Sequence, residues 1–154
     1  MAYSKDSIIK VIKLMNEKKK VYANIPVKDI NLCLSKGNRK IGLVMNVSLP
    51  PILTCHHCKE CKHICYDIKA CLQYPETVID ARIRNYTIMT KDRNEYFNRI
   101  GSAMNKRRKN KFFRWHVAGD IVDYNYFDRM VKNAKEHPDF TIWTYTKEYE
   151  IVNE

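Results

Sequence analysis

Five of the six cysteines in this 154-residue chain fall between Cys55 and Cys71. Cys55, Cys58, Cys61 and Cys65 are spaced C-x2-C-x2-C-x3-C, and Cys71 follows six residues later. Any fold the chain adopts must accommodate this crowded segment. The N-terminus, MAYSKDSIIK, lacks the apolar stretch of a secretory signal, and a chain of this length builds a core without disulfide staples. Clustered reduced thiols point instead to a metal. The run has the spacing of a bacterial ferredoxin, although Tyr66 stands where a Pro usually follows the fourth cysteine and there is no second run. Four-cysteine zinc sites set their two pairs about 12–20 residues apart, wider than this run. His56, His57 and His63 nonetheless offer a mixed zinc set. The expected ligands are Cys55, Cys58, Cys61, Cys65 and Cys71. The expected cofactor is an iron–sulfur cluster or Zn2+, and the alternative is a set of reduced thiols without metal.

Periodicity organises the rest of the chain. Residues 6–19 place Ile8, Ile9, Ile12 and Met15 on one face of an amphipathic helix, with Asp6 or Ser7 as N-cap, so 1–21 reads as an N-terminal helix. Residues 22–40 look irregular, with Pro26 and a turn at Lys36-Gly37-Asn38. Residues 41–49 read as a strand that stops at Pro50-Pro51. Residues 76–106 read as helical, 112–117 as a second strand, a helix capped by Asp123 runs to about Glu136, and 140–146 form a third strand.

Alternating strands and helices predict an α/β fold: a small parallel sheet of about three strands with crossover helices, partial-barrel-like, within one domain spanning 1–154. Ligands of such sheets bind beyond the carboxyl ends of the strands. Those ends carry the cysteine loop 54–71, Ala118-Gly119-Asp120 and Tyr145-Thr146-Lys147, which predicts one convergent site. Strand alternation puts Phe113, Trp115 and Val117 on one face and Arg114 and His116 on the other. Arg114, His116 and Asp120 are therefore the candidate anion-binding or proton-transferring groups, while His137, at a helix end, is expected to be structural.

Lys plus Arg is 28 against 17 acidic residues, a net charge of +11. That balance favours polyanionic partners, nucleic acid or a host nucleoprotein, and excludes an acidic DNA mimic. The charge concentrates at Lys106, Arg107, Arg108, Lys109 and Lys111, the candidate nucleic-acid contacts, and again at Lys18, Lys19 and Lys20. No apolar run nears the roughly 18 residues of a membrane span, so no membrane partner is expected. Association into a homo-oligomer is compatible with so short a sheet.

Several residues occur in an order that resembles a known family: Gly37-Asn38-Arg39-Lys40-Ile41-Gly42, Ser48-Leu49-Pro50, Thr54-Cys55, Cys61-x3-Cys65-Tyr66, Asn85, Arg114-x-His116-Val117-x-Gly119-Asp120 and Tyr145-Thr146-Lys147. Together they resemble the bacteriophage family named after gene product eighty-eight of mycobacteriophages, over residues 35–148. The resemblance implies a mobile-element protein acting in the cytoplasm of a bacterial cell, and inhibition of a host defence nuclease is an alternative function there. Cys55, Cys61 and Cys65 match the family's cysteines, Cys58 and Cys71 are additional, and Ala118 replaces a Ser. The arrangement is also similar to radical S-adenosylmethionine enzymes, whose cysteine loop follows the first strand and whose acidic Gly-rich motif follows the second. That likeness implies an iron–sulfur enzyme using S-adenosylmethionine, with Gly119-Asp120 toward the cofactor. Three strands enclose little cavity, which favours a binding protein over a catalyst.

Overall fold

The chain builds its sheet from short strands buried at the centre. A computed structural model describes residues 2–59 and 61–153. Helix α1, Lys5–Ala23, opens the chain, and β1 (Leu34–Ser35) pairs antiparallel with β2 (Met45–Val47). Helices α2 (Tyr66–Gln73), α3 (Asp80–Lys91) and α4 (Arg93–Lys106) then lead to β3, Phe112–Trp115. Helix α5, Tyr124–Glu136, crosses to β4, Thr141–Thr144, and a final turn, α6, covers Tyr149–Val152. The sheet order is β1-β2-β3-β4, and β2, β3 and β4 run parallel.

The mixed α/β class and the three parallel strands agree with the sequence reading, but the sheet has four strands rather than about three. The added strand lies in the stretch read as irregular. Two residues are too few for alternation to be visible, and β1 exists because a tight turn folds it back on β2. Gly37 makes that turn possible: its φ is +104°, and a Cβ there would sit 2.0 Å from the Gly42 carbonyl oxygen. Asn38 completes it, its Oδ1 accepting from the Lys40 and Ile41 amides at 2.9 and 3.1 Å.

Two further boundaries differ. Helix α1 starts earlier than predicted, because Ser4 rather than Asp6 or Ser7 is the N-cap, accepting from the Ser7 amide at 3.2 Å. Its buried face is Ile8, Val11 and Met15, with Ile9 half in solvent. The single helix predicted over 76–106 is two helices, broken where Asp92 leaves helical geometry and caps α4 through the Glu95 amide at 2.9 Å.

Two apolar clusters result. The larger packs Phe113 and Trp115 of β3 against Phe97 of α4 and Tyr126 of α5, with Phe97–Trp115 centroids 5.5 Å apart and Phe97–Tyr126 at 5.1 Å. Each such buried ring contributes roughly 1.5–3 kcal/mol. The smaller packs α1 against Ile68 and Cys71 of α2 and Ile79 and Ile83 beside them. Tyr22 touches both clusters, and its hydroxyl donates to Asp80 at 2.7 Å.

Asn85, fully buried on α3, joins the helical layer to the sheet. Its Oδ1 accepts from the Cys33 amide at 2.8 Å, and its Nδ2 donates to the carbonyls of Cys33 and Ser48 at 2.9 and 3.0 Å. Asn85→Ala leaves those backbone groups without partners in an apolar setting, and should cost about 3 kcal/mol. Urea denaturation checks this; a loss under about 0.5 kcal/mol would mean that water replaces the side chain there.

Candidate functional site at the carboxyl edge of the sheet

The carboxyl ends of β2, β3 and β4 are sewn together before any ligand is considered. The Leu49 amide donates to the Ala118 carbonyl at 2.9 Å, and the Ala118 amide to Ser48 Oγ at 3.3 Å. Gly119 lies against this seam at φ +81°, where a Cβ would stand 2.7 Å from Thr54 Oγ1 and 2.8 Å from Leu49 Cβ. Asp120 then ties β3 to β4. Its Oδ1 accepts from the Ile121 amide at 2.8 Å and from Thr146 Oγ1 at 2.6 Å, and its Oδ2 from the Lys147 amide at 3.0 Å. Both oxygens are engaged within the chain. The geometry makes Asp120, one of the candidate anion-binding or proton-transferring groups, a clamp between the loops.

Beyond the seam lies a cleft of about 480 Å³. Cys55, His57, Cys61, Cys65 and Tyr66 line one side, and Arg114, Ala118-Gly119-Asp120, Tyr145 and Lys147 the other. The three loops that the sequence placed at one edge do meet there. The cleft also takes in Tyr149.

The cysteines divide. The Cys58 thiol lies beside those of Cys55 and Cys61. Its interaction with the Cys55 thiol is the main reason that Cys58 is drawn down to about 6, while the same interaction and burial push Cys55 up. Cys61 meets the Lys147 ammonium, which is raised by that contact. Cys65 caps α2, and burial raises its thiol despite the Asp67 and Ile68 amides nearby. All of these cysteines are free thiols.

Cys71 does not join them. It lies on the inner face of α2, fully buried among Ile8, Val11, Met15 and Ile68, and burial pushes its thiol up to about 12. Its place is in the core, against the expectation that it ligates metal. The helix periodicity that puts Ile68 and Cys71 three apart carried that signal. Nor is the expected metal-binding loop shown: among the described residues, no group of three or more His, Cys, Asp or Glu side chains forms an arrangement that could hold a metal ion.

The histidines are also apportioned. His63 Nδ1 lies 3.2 Å from the Tyr3 carbonyl, whose residue's amide donates to the His63 carbonyl at 2.6 Å. His56 Nδ1 and His57 Nε2 lie 3.4 and 3.5 Å from one oxygen of Glu148, a buried carboxylate whose other oxygen has no hydrogen-bond partner among the described residues. Glu148 escaped the sequence reading, which stopped at Lys147; the rule that favours strand ends extends to it.

His116 is the clearest departure from strand alternation. β3 ends at Trp115, and His116 adopts φ +51°, a left-handed backbone uncommon without glycine. The turn leaves the imidazole 97% buried, with Nε2 3.0 Å from the Tyr126 hydroxyl and Nδ1 unpartnered. Arg114, by contrast, lies half-buried with its guanidinium 5.1 Å from the Tyr145 ring centroid.

The basic block lies at the other end of the sheet, leading into the amino end of β3. Arg107 is occupied there, donating to the carbonyls of Leu43, Lys109 and Asn110, and Lys111 pairs with Asp139 at 2.9 Å. Lys106, Arg108 and Lys109 are exposed. His137 is buried, its Nδ1 2.7 Å from the Asn133 carbonyl, in keeping with a structural role.

A model of the family described as Gene product 88 matches residues 11–154. The chain belongs to the Gene product 88 family, a bacteriophage family. The match reaches further toward the N-terminus than the 35–148 in which motifs are readable, and takes in most of α1. No curated protein and no solved structure matches the chain. Of the residues that carry the family resemblance, Ser48, Thr54, Asn85, Gly119, Asp120 and Thr146 belong to the seam and its supports, while Gly37 and Asn38 form the turn before β2. No helix among the described residues is long and apolar enough to cross a membrane.

Burial disfavours the imidazolium of His116, with Asp120 opposing, and lowers the group from 6.5 to about 4. Between those values the unfolded chain binds a proton that the folded chain refuses, so stability falls as pH falls. His116→Gln should flatten the stability–pH curve between about 6.5 and 4 relative to the parent. Chemical denaturation at each pH reads it; parallel curves would place that acid sensitivity elsewhere.

Proposed function

We propose that this phage protein is a thiolate-centred metalloprotein, its Cys55–Cys65 loop closing on a metal at the mouth of a ligand-binding cleft. The observation that carries the reading is the closeness of three free thiols, Cys55, Cys58 and Cys61, of which Cys55 and Cys61 line one wall of the cleft. Cys65 on the same wall is a fourth donor, and Glu148 and His57 supply oxygen and nitrogen alternatives. The donor chemistry suits an iron–sulfur cluster or Zn2+. Neighbouring thiols are not yet a cage, so binding is expected to reorganise the loop and to be coupled to its stability. A bound cluster would supply electron transfer, and zinc a structural clamp.

A polyanionic partner, nucleic acid or a host nucleoprotein, is supported by the net charge of +11 and belongs to the same reading. A role in blocking a host defence nuclease would be one use of such binding.

Metal and acid-labile sulfide, measured with an optical spectrum on anaerobically purified protein, test the metal. Iron with sulfide, or one zinc per chain, is the expected result, and metal-free protein after reconstitution with both would end the proposal. Cys61→Ser should lose most of the metal and melt earlier. Cys71→Ala, a change in the core, should keep full metal content while losing stability, since a buried thiol packs like a small apolar group. Loss of metal from Cys71→Ala at temperatures where it stays folded would return Cys71 to the ligand set.

A further inference from the structure

The groups around the cleft separate by charge. Its carboxylates, Asp67 and Asp120, are turned inward: Asp67 is buried and accepts from Arg82 at 3.0 Å, and Asp120 is held by three donors, while Glu148 next to Lys147 is buried against His56 and His57. Its cations meet a thiol and a ring, not carboxylates: Lys147 lies beside Cys61 and Arg114 over Tyr145. Lys147 is exposed, Arg114 is half-buried with an unpartnered Nε, and neither has a carboxylate partner among the described residues. Lys62 adds positive potential beside Cys58.

The rim is aromatic. Tyr66, Tyr145 and Tyr149 are 57%, 71% and 66% exposed, and Ile64 beside them is 70% exposed. Exposed rings in a cluster, as opposed to scattered singly, mark a recognition surface. Ring faces flanked by cations recognise a flat, unpaired base attached to phosphate. The volume of about 480 Å³ is that of a pocket for one small group, and it excludes a duplex. The basic block at the far end offers one exposed ring, Phe112, and two of its five cations are already engaged.

We propose that the cleft binds single-stranded nucleic acid, with a base stacked on the Tyr145 rim and Arg114 and Lys147 meeting the adjoining phosphates. The inference rests on the cleft being the ligand site of the proposed function, and not on a metal in the loop.

Fluorescence anisotropy of a labelled dT20 strand tests it, using the full chain, with metal content measured on every sample. The parent protein should bind the strand in preference to a duplex of equal length. Tyr145→Ala should weaken binding roughly tenfold, the scale of one lost base–aromatic stack, and Tyr145→Trp should restore it. Arg114→Ala should lower the salt slope by about 0.7, the value of one phosphate contact on a single strand. Binding that survives Tyr145→Ala but disappears when Lys106, Arg108 and Lys109 are all changed to Glu would overturn the proposal, as would equal affinity for duplex. Metal-free protein that binds the strand through Tyr145 would remove the metal reading and leave this one standing. Metal-loaded protein indifferent to Tyr145→Ala would do the reverse.

Discussion

The Asp120 carboxylate is the constraint on which the site depends. Parallel strands have no hairpin to join them, so their carboxyl ends are held only by what crosses between the loops that follow. Here a single side chain takes donors from its own loop and from the loop after β4, while Gly119 presses the same segment onto Leu49 and Thr54. Without that closure, β2, β3 and β4 would still pair, but the cysteine loop and the Tyr145 loop would have no fixed separation. The cleft is thus a product of the seam, and Asn85 supports the seam from behind by fixing the carbonyl of Ser48.

Much of this was legible in the chain. β2, β3 and β4 lie inside the three predicted strands, α5 starts at the Asp123 cap, and the three strand-end loops meet as the parallel-sheet rule requires. What was not legible depends on three-dimensional context. β1 is too short to show a period. His116 leaves the alternation through one backbone dihedral that no residue-type rule predicts, and it is then captured by Tyr126, ten residues on. The break at Asp92 is a different case. The Asp92-x-x-Glu95 cap is written in the sequence, and the apolar periodicity that continues across it masked the signal.

The cysteine run shows the limit of spacing as a guide. Spacing brings Cys55, Cys58 and Cys61 near one another, because a loop of that length has little choice, but it does not set them in an arrangement that could hold a metal among the described residues. It misplaces Cys71, because a helix intervenes at Tyr66 and turns the later thiol inward. The charged block teaches the same lesson. Five cations adjacent in sequence are not five equivalent cations, since Arg107 holds backbone carbonyls together and Lys111 is paired with Asp139.

The cleft and the basic block lie at opposite ends of β3. A strand of four residues spans roughly 13 Å, beyond the Debye length of about 8 Å at physiological ionic strength. The block therefore exerts little pull on the thiols or on what enters the cleft, and the cleft's chemistry does not tune the block. Mutational drift in one can proceed without penalty in the other.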